Sequence, residues 1–333
     1  VISRSLGAFG PAVSAIGLGC LGMSDLYGPA DEAESIATIR AAIDAGVTLL
    51  DTGDYYGMGH NEILLREALR GRSRERVVLS VKFGAMRDPA GAWLGVDARP
   101  AAVKNFLAYT LRRLGTDYVD IYRPGRLDPA VPIEETVGAI AELIGRGLVR
   151  YVGLSEVGAE TLRRAHAVHP VSDLQIEYSL ASRGIEPVIL PTARQLRVGI
   201  TAYGVFSRGL LGGSWSKDRP LAANDLRRNL PRFTGENLEK NLVLVEALRA
   251  VAERRGLTVA QLALAWVLSR GDDIVPLVGA RRRERLTEAL AALDRTLVAG
   301  EIAQIEAAFP SSEVAGSRYD EHQMRVLDSE RAG

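Results

Sequence analysis

LLDTGDYYGMGHNEILLREAL, residues 49–69, decides the fold. A short apolar run, Thr48 to Asp51, ends in an acid, a glycine-flanked turn carries Tyr56, and apolar residues at helical spacing follow from Asn61 to Leu69. Strand, polar turn and helix make one β/α unit, and the chain repeats it. Apolar runs rich in Val, Ile and Leu recur at Ala12 to Leu18, Val77 to Lys82, Tyr118 to Tyr122, Val149 to Leu154, Asp173 to Glu177, Gly199 to Tyr203 and Ile274 to Leu277, giving eight in all. Each is short and nearly all apolar, as a strand buried on both faces must be.

Helical spacing fills the gaps: Ala33 to Ala45, Pro100 to Leu114, Ile133 to Arg146, Ala159 to Val168, Glu186 to Leu196 and Arg282 to Ala292, with a helical pair at Glu236 to Arg255 and Val259 to Ser269. Gly46, Gly71, Gly115 and Gly147 follow four helices directly, as C-terminal stop signals. The reading is an α/β fold, a TIM (β/α)₈ barrel in one domain over residues 1–333. An N-terminal hairpin in the first ten residues plugs its base, and a terminal helix, Ala299 to Phe309, precedes a tail. Two connections, Phe83 to Arg99 and Val205 to Gly235, exceed what a link needs. Both follow strands, so both fall on the C-terminal face where barrel sites are built.

Acidic and basic residues cancel at 41 each, which argues against nucleic acid, an anionic membrane or a polyanion as partner. With 47% hydrophobic and 25% charged residues the chain is globular in composition. Cys20 is the sole cysteine, so an internal disulfide and a cysteine-rich metal site are excluded, and no metal is expected. Residues 1–20 lack a basic start before a long apolar run, and no stretch reaches the roughly 18 apolar residues of a spanning helix. The expectation is a cytoplasmic protein; its oligomeric state is open.

Asp51 and Tyr56 alone read as well as a helix cap and a packed ring. Lys82 shifts the balance. Only four of the 41 basic residues are lysines, yet one ends the apolar run VVLSVK, where an ammonium needs a partner. Asp51 on the neighbouring strand is the natural one, and an ammonium beside Tyr56 is expected to lower the phenol pKa and make it a usable proton donor. Carbonyl reduction needs such a proton beside a hydride.

The segments DTGDYYG, VKFG, DYVDIYRPGRLDPAVPIEETVGAI, YVGLSEV, LQIEYS, ITAYGVFSRGLLGG and IVPLVGARRRERLTEAL, in this order, resemble the aldo-keto reductase family over nearly the whole chain. The resemblance implies a TIM barrel, NADPH as cofactor, and reversible reduction of aldehydes or ketones by an Asp, Tyr, Lys and His tetrad. Asp51, Tyr56 and Lys82 match the first three, whereas Gly125 stands where the histidine belongs. Losing that imidazole is expected to open space beside the nicotinamide and favour a bulkier ketone, with Arg123, Arg126 or water polarising the carbonyl. His60 is the nearest alternative imidazole, though a helix-start role is the plainer reading.

The same resemblance assigns the cofactor contacts. Gly279, Ala280, Arg281 and Arg285 would hold the adenosine 2′-phosphate and Glu288 the adenine; the backbone amides and guanidinium groups meeting after the eighth strand suit a phosphate independently. Ser155, Glu156 and Gln175 would hold the carboxamide, Tyr203 would stack on the nicotinamide, and Ser207, Arg208, Gly209 and Leu210 would face the pyrophosphate. Gly19 and Cys20 would line the pocket floor. Gly17, Gly19 and Gly22 match GxGxxG, but a Gly-Pro break follows where a dinucleotide-binding unit needs a helix.

Tyr27, Trp93, Gly125 and Arg126 are the candidates for the substrate side, with Met23, Phe206, Trp215, Arg318 and Tyr319 as further pocket walls. The substrate is a small carbonyl compound of unspecified structure. A competing reading is a non-catalytic NADPH-binding regulatory subunit, resembling the potassium-channel β subunits; a pure binder has no need of the proton donor. A metal-dependent hydrolase lacks the ligand cluster it requires.

Overall fold

The computed structural model describes residues 2–24 and 26–331. Two antiparallel strands, β1 (Ser3–Ser5) and β2 (Ala12–Ser14), precede the barrel strand β3 (Gly17–Gly19). The apolar run Ala12 to Leu18, expected to be one strand, is therefore two. Its first half pairs backwards with β1, and a turn held by the Ser14 hydroxyl, which donates to the Ile16 carbonyl at 2.6 Å, redirects the second half. The hairpin does plug the base: Leu6 packs with Val13, Leu49, Ile121, Val275 and Leu277 in a separate apolar cluster.

The remaining barrel strands are β4 (Leu49–Gly53), β5 (Val78–Phe83), β8 (Val119–Pro124), β9 (Val149–Ser155), β10 (Val171–Glu177), β11 (Gly199–Tyr203) and β12 (Ile274–Gly279). Two short strands, β6 (Ala85–Arg87) and β7 (Trp93–Val96), form an antiparallel hairpin in the first long connection. The eight strands from β3 onward, β6 and β7 excepted, close into one parallel barrel in the order β10-β11-β12-β3-β4-β5-β8-β9.

Helices surround the barrel, and the apolar core lies between the two layers. Gly46, Gly71, Gly115 and Gly147 have φ of 88°, 76°, 65° and 75°, the left-handed geometry expected after a helix end. One helix is shorter than its spacing predicts, Ile189–Gln195 instead of Glu186 to Leu196. Pro187 disfavours helical geometry at Glu186, and Pro191 is tolerated only in a first turn, where its missing amide has no partner to lose.

Register brings the chemistry together. Asp51 pairs with Gly19 on one side and Ser80 on the other, Lys82 pairs with Gly53 and Arg123, and Gln175 with Ser155 and Thr201. All lie toward the C-terminal ends of their strands. Among the described residues no helix is long and apolar enough to cross a membrane, and no cluster of three or more His, Cys, Asp or Glu residues could hold a metal.

Candidate active site

At the C-terminal mouth, Asp51 collects every donor aimed at it. Lys82 Nζ donates to Oδ1 at 2.5 Å, while the Ser80 hydroxyl and the Gln175 amide donate to Oδ2 at 2.9 and 2.7 Å. Both charges are buried, so this pairing is what permits them there. Gln175, expected at the carboxamide, has thus placed its amide nitrogen on Asp51.

Tyr56 lies above this pair, with the Lys82 ammonium 5.2 Å from the ring centroid. Its turn is held by a polar net. Thr52 donates to Asn61 Oδ1 at 2.7 Å, and the Asn61 amide donates to the Cys20 carbonyl at 2.9 Å and the Ser24 hydroxyl at 2.7 Å. Gly57, Met58 and Gly59 then run through left-handed geometry at φ 55°, 54° and 95°, which glycine tolerates and methionine resists.

The expected fall in the Tyr56 pKa is not what this environment produces. Burial, then Tyr55 and Asp51, hold the phenol well above its ordinary range. Lys82 offsets this only in part, because Asp51 holds its ammonium at 2.5 Å, and burial lowers the Lys82 pKa itself. Tyr56 therefore keeps its proton through neutral pH.

Beneath the mouth the polar layer continues. Arg123, fully buried, donates to Asp173 Oδ2 at 2.9 Å, the Ser80 hydroxyl at 3.0 Å and the Leu154 carbonyl at 3.1 Å. Asp173 also accepts from Ser172 and Thr201. Arg123 is thus a strut across the barrel interior, and it has no reach to polarise a substrate. His60 turns away too, with Nδ1 2.8 Å from the Ser24 hydroxyl and Nε2 3.6 Å from Glu32.

The open space expected at Gly125 is filled. A Cβ there would meet Tyr55 Oη at 3.0 Å and Cε1 at 3.1 Å, so the Tyr55 ring rests directly on the glycine. Arg126 donates to the Gly125 carbonyl at 2.7 Å and to the Tyr319 hydroxyl at 3.2 Å.

Tyr319 and Arg318 bring the C-terminal tail into the site. Arg318 donates to Glu156 at 2.9 and 2.6 Å, and the Glu156 oxygens also accept from Tyr203 at 2.7 Å and Ser329 at 2.6 Å. Burial alone would raise the Glu156 pKa, but Arg318 holds it below the ordinary carboxylate range. Glu156, expected at the carboxamide, is instead committed to the tail, while Ser155 lies buried beside it. The Tyr203 hydroxyl lies 3.0 Å from that of Tyr319, so its ring is held from the hydroxyl end.

Arg208, expected to face the pyrophosphate, is engaged by the protein's own side chains. It donates to Glu177 at 3.0 Å and lies over the Tyr319 ring at 4.4 Å. Ser207, Arg208 and Gly209 form a left-handed turn with φ of 44°, 54° and 99°, and Leu210 is buried behind them. The second long connection is packed, with Trp215 set edge-on to Phe233 at 4.7 Å, so Trp215 is not a pocket wall.

Several arginines converge beside it. Arg281 donates to the Tyr27 and Pro29 carbonyls at 3.1 and 3.2 Å, and its pKa is lowered by burial and by Arg227, Arg282 and Arg219. Asp225 opposes them, holding Arg227 at 2.6 Å. Such a cation excess needs an anion, and a phosphate fits that chemistry. The Arg227 guanidinium lies 5.1 Å from the Tyr27 ring, which puts Tyr27 with the phosphate candidates instead of with Gly125. Gly279 leaves open space at its α-carbon, Ala280 is buried, and Arg285 and Glu288 bond each other at 2.8 Å. Of the floor pair, Cys20 is buried and its amide donates to the Asp51 carbonyl at 3.0 Å, beside Gly19. Trp93, on the outer hairpin, is 53% exposed and Met23 is in the core, so neither forms a closed wall here.

Tyr55, Ser80, Glu177 and Arg227 escape sequence reasoning. The doubled tyrosine at 55–56 opposite a glycine is the available signal for the first; Ser80 and Glu177 act through partners distant in sequence, and Arg227, held by Asp225, meets Tyr27 and the Arg208 carbonyl only in the fold.

The profile of the Aldo/keto reductase family matches residues 15–309. The glycerol dehydrogenase of Gluconobacter oxydans superposes with a TM-score of 0.83 at 29% identity, over 93% of this chain and 96% of that one. A thermostable aldo-keto reductase solved with the inhibitor epalrestat gives a TM-score of 0.74 at 27% identity, over 92% of this chain and 100% of the other.

Proposed function

The chain belongs to the aldo/keto reductase family, and from that premise we propose that it reduces an aldehyde or ketone to the alcohol with NADPH, Tyr56 supplying the proton. The family makes it an oxidoreductase of carbonyl and alcohol groups that works with a nicotinamide cofactor. Carrying the finer reading is one arrangement: the Tyr56 phenol set over a buried Lys82–Asp51 pair at the strand ends.

A nicotinamide cofactor, when bound, would supply the hydride that the carbonyl carbon takes up. Tyr56 then hands its proton to an oxygen turning into an alkoxide, a stronger base than phenolate, so the transfer runs downhill from a phenol that has kept its proton. Lys82 stabilises the phenolate left behind, and Asp51 fixes the ammonium beneath the ring. In reverse, phenolate is the base.

This assigns opposite pH profiles to the two directions. Because burial raises the Tyr56 pKa, the proton donor is fully present through neutral pH, and reduction is expected to stay level there. Alcohol oxidation needs the deprotonated form and is expected to climb steadily as pH rises above neutral. Steady-state rates measured both ways check it; oxidation that peaks at neutral pH would contradict the assignment.

NADPH is favoured over NADH by the arginine group around Arg281. The Arg281→Ala variant is expected to lose roughly 10- to 100-fold in kcat/KM with NADPH, the loss of one charge-assisted hydrogen bond, and little with NADH. Coenzyme oxidation with a panel of aldehydes and ketones tests both parts. No turnover of any carbonyl removes the reductase reading, and equal effects on the two coenzymes remove the phosphate assignment.

A further inference from the structure

Two phenols, not one, stand together at the C-terminal mouth. Tyr55 and Tyr56 meet edge to face, with centroids 4.9 Å apart and planes at 86°. Both lean on the end of β4: a Cβ at Gly53 would lie 3.1 Å from Tyr56 Cε1 and 3.3 Å from Tyr55 Cε1. The far side of Tyr55 rests on Gly125, whose bare α-carbon leaves room for the hydroxyl where any side chain would displace it. Gly125 is itself held by its amide, which donates to the Phe83 carbonyl at 2.8 Å. The Tyr55 position is thereby set by two glycines at the ends of barrel strands.

The other donors near Tyr56 are committed. Lys82 is given to Asp51 and Arg123 to Asp173. Arg126 spans the Gly125 carbonyl and the Tyr319 hydroxyl. Burial holds the Tyr55 proton on, so its hydroxyl is a neutral donor at working pH.

We propose that Tyr55 is a second catalytic hydrogen-bond donor to the substrate oxygen, seated in the space that Gly125 leaves, and that it fixes the carbonyl against the Tyr56 phenol. It forms and breaks no covalent bond. A donor aimed at an oxygen that gains negative charge strengthens as the hydride arrives, so its benefit falls on turnover more than on ground-state binding. The inference rests on the reductase reading above and adds a residue to it.

The test is a cycle of Tyr55→Phe, Gly125→Ala and the double variant in the full chain, with NADPH and a small aldehyde. Tyr55→Phe keeps the ring and loses only the hydroxyl, and is expected to lower kcat/KM by about 10- to 100-fold, mostly in kcat, with the coenzyme Kd unchanged within about twofold. Gly125→Ala pushes the hydroxyl from its seat and is expected to cost a similar factor. Added to Tyr55→Phe, the same alanine is expected to cost at most about threefold, because the hydroxyl it displaces is already gone. Wild-type turnover in Tyr55→Phe overturns the inference, as do losses that multiply across the cycle. A wild-type protein inert toward every carbonyl overturns the reductase reading beneath it, an outcome distinct from an active wild type with an unaffected Tyr55→Phe.

Discussion

The Tyr56→Phe variant is expected to bind NADPH as the wild type does and to reduce carbonyls about 10²- to 10⁴-fold more slowly. The variant keeps the ring over Lys82 and loses only the oxygen. Lys82 and Asp51 would remain paired at the strand ends, so fold and coenzyme binding have no reason to change. What disappears is the proton that is transferred to the developing alkoxide. Measuring kcat/KM beside the coenzyme Kd separates the two effects. Equal rates in variant and wild type would leave Tyr56 a packed ring and return the proton to solvent.

The second large effect is on stability, and it lies inside the barrel. Arg123→Ala would leave Asp173 fully buried with only the Ser172 and Thr201 hydroxyls and no cation. An uncompensated buried charge costs about 3–5 kcal/mol, enough to unfold many domains of ordinary stability. Urea titration at constant slope is the measurement, and the Arg123→Ala, Asp173→Ala double variant is expected to be less damaged than the single one. A single-variant loss below about 1 kcal/mol would mean that the two hydroxyls satisfy the carboxylate alone.

Most of the barrel is legible in the chain because strands buried on both faces are written as short apolar runs. Gly199–Tyr203 and Pro100–Leu114 fall where spacing puts them. The first strand does not, since an apolar stretch carries no mark of whether its partner runs parallel or antiparallel, and β1 captures its first half. Asp51 and Lys82 are legible for a related reason: a charge ending an apolar run must find a partner, and the neighbouring strand offers one. Arg123 carries the same signature yet reads from sequence as a substrate contact, because its partner Asp173 lies on a strand that is not adjacent to its own. Gly125 can be read as an absence, but that Tyr55 leans into it depends on barrel closure bringing together the ends of two strands that are not adjacent, β4 and β8.

The bond between Arg318 and Glu156 joins points far apart in the order of synthesis. Glu156 and Tyr203 are synthesised well before β12, and the barrel cannot close until β12 has followed them. Arg318 is later still. A nascent chain can therefore assemble Asp51, Tyr56 and Lys82 with the whole barrel in hand and still hold an unpaired carboxylate at its mouth. Completion of the pocket waits on Arg318, a residue made after every barrel strand.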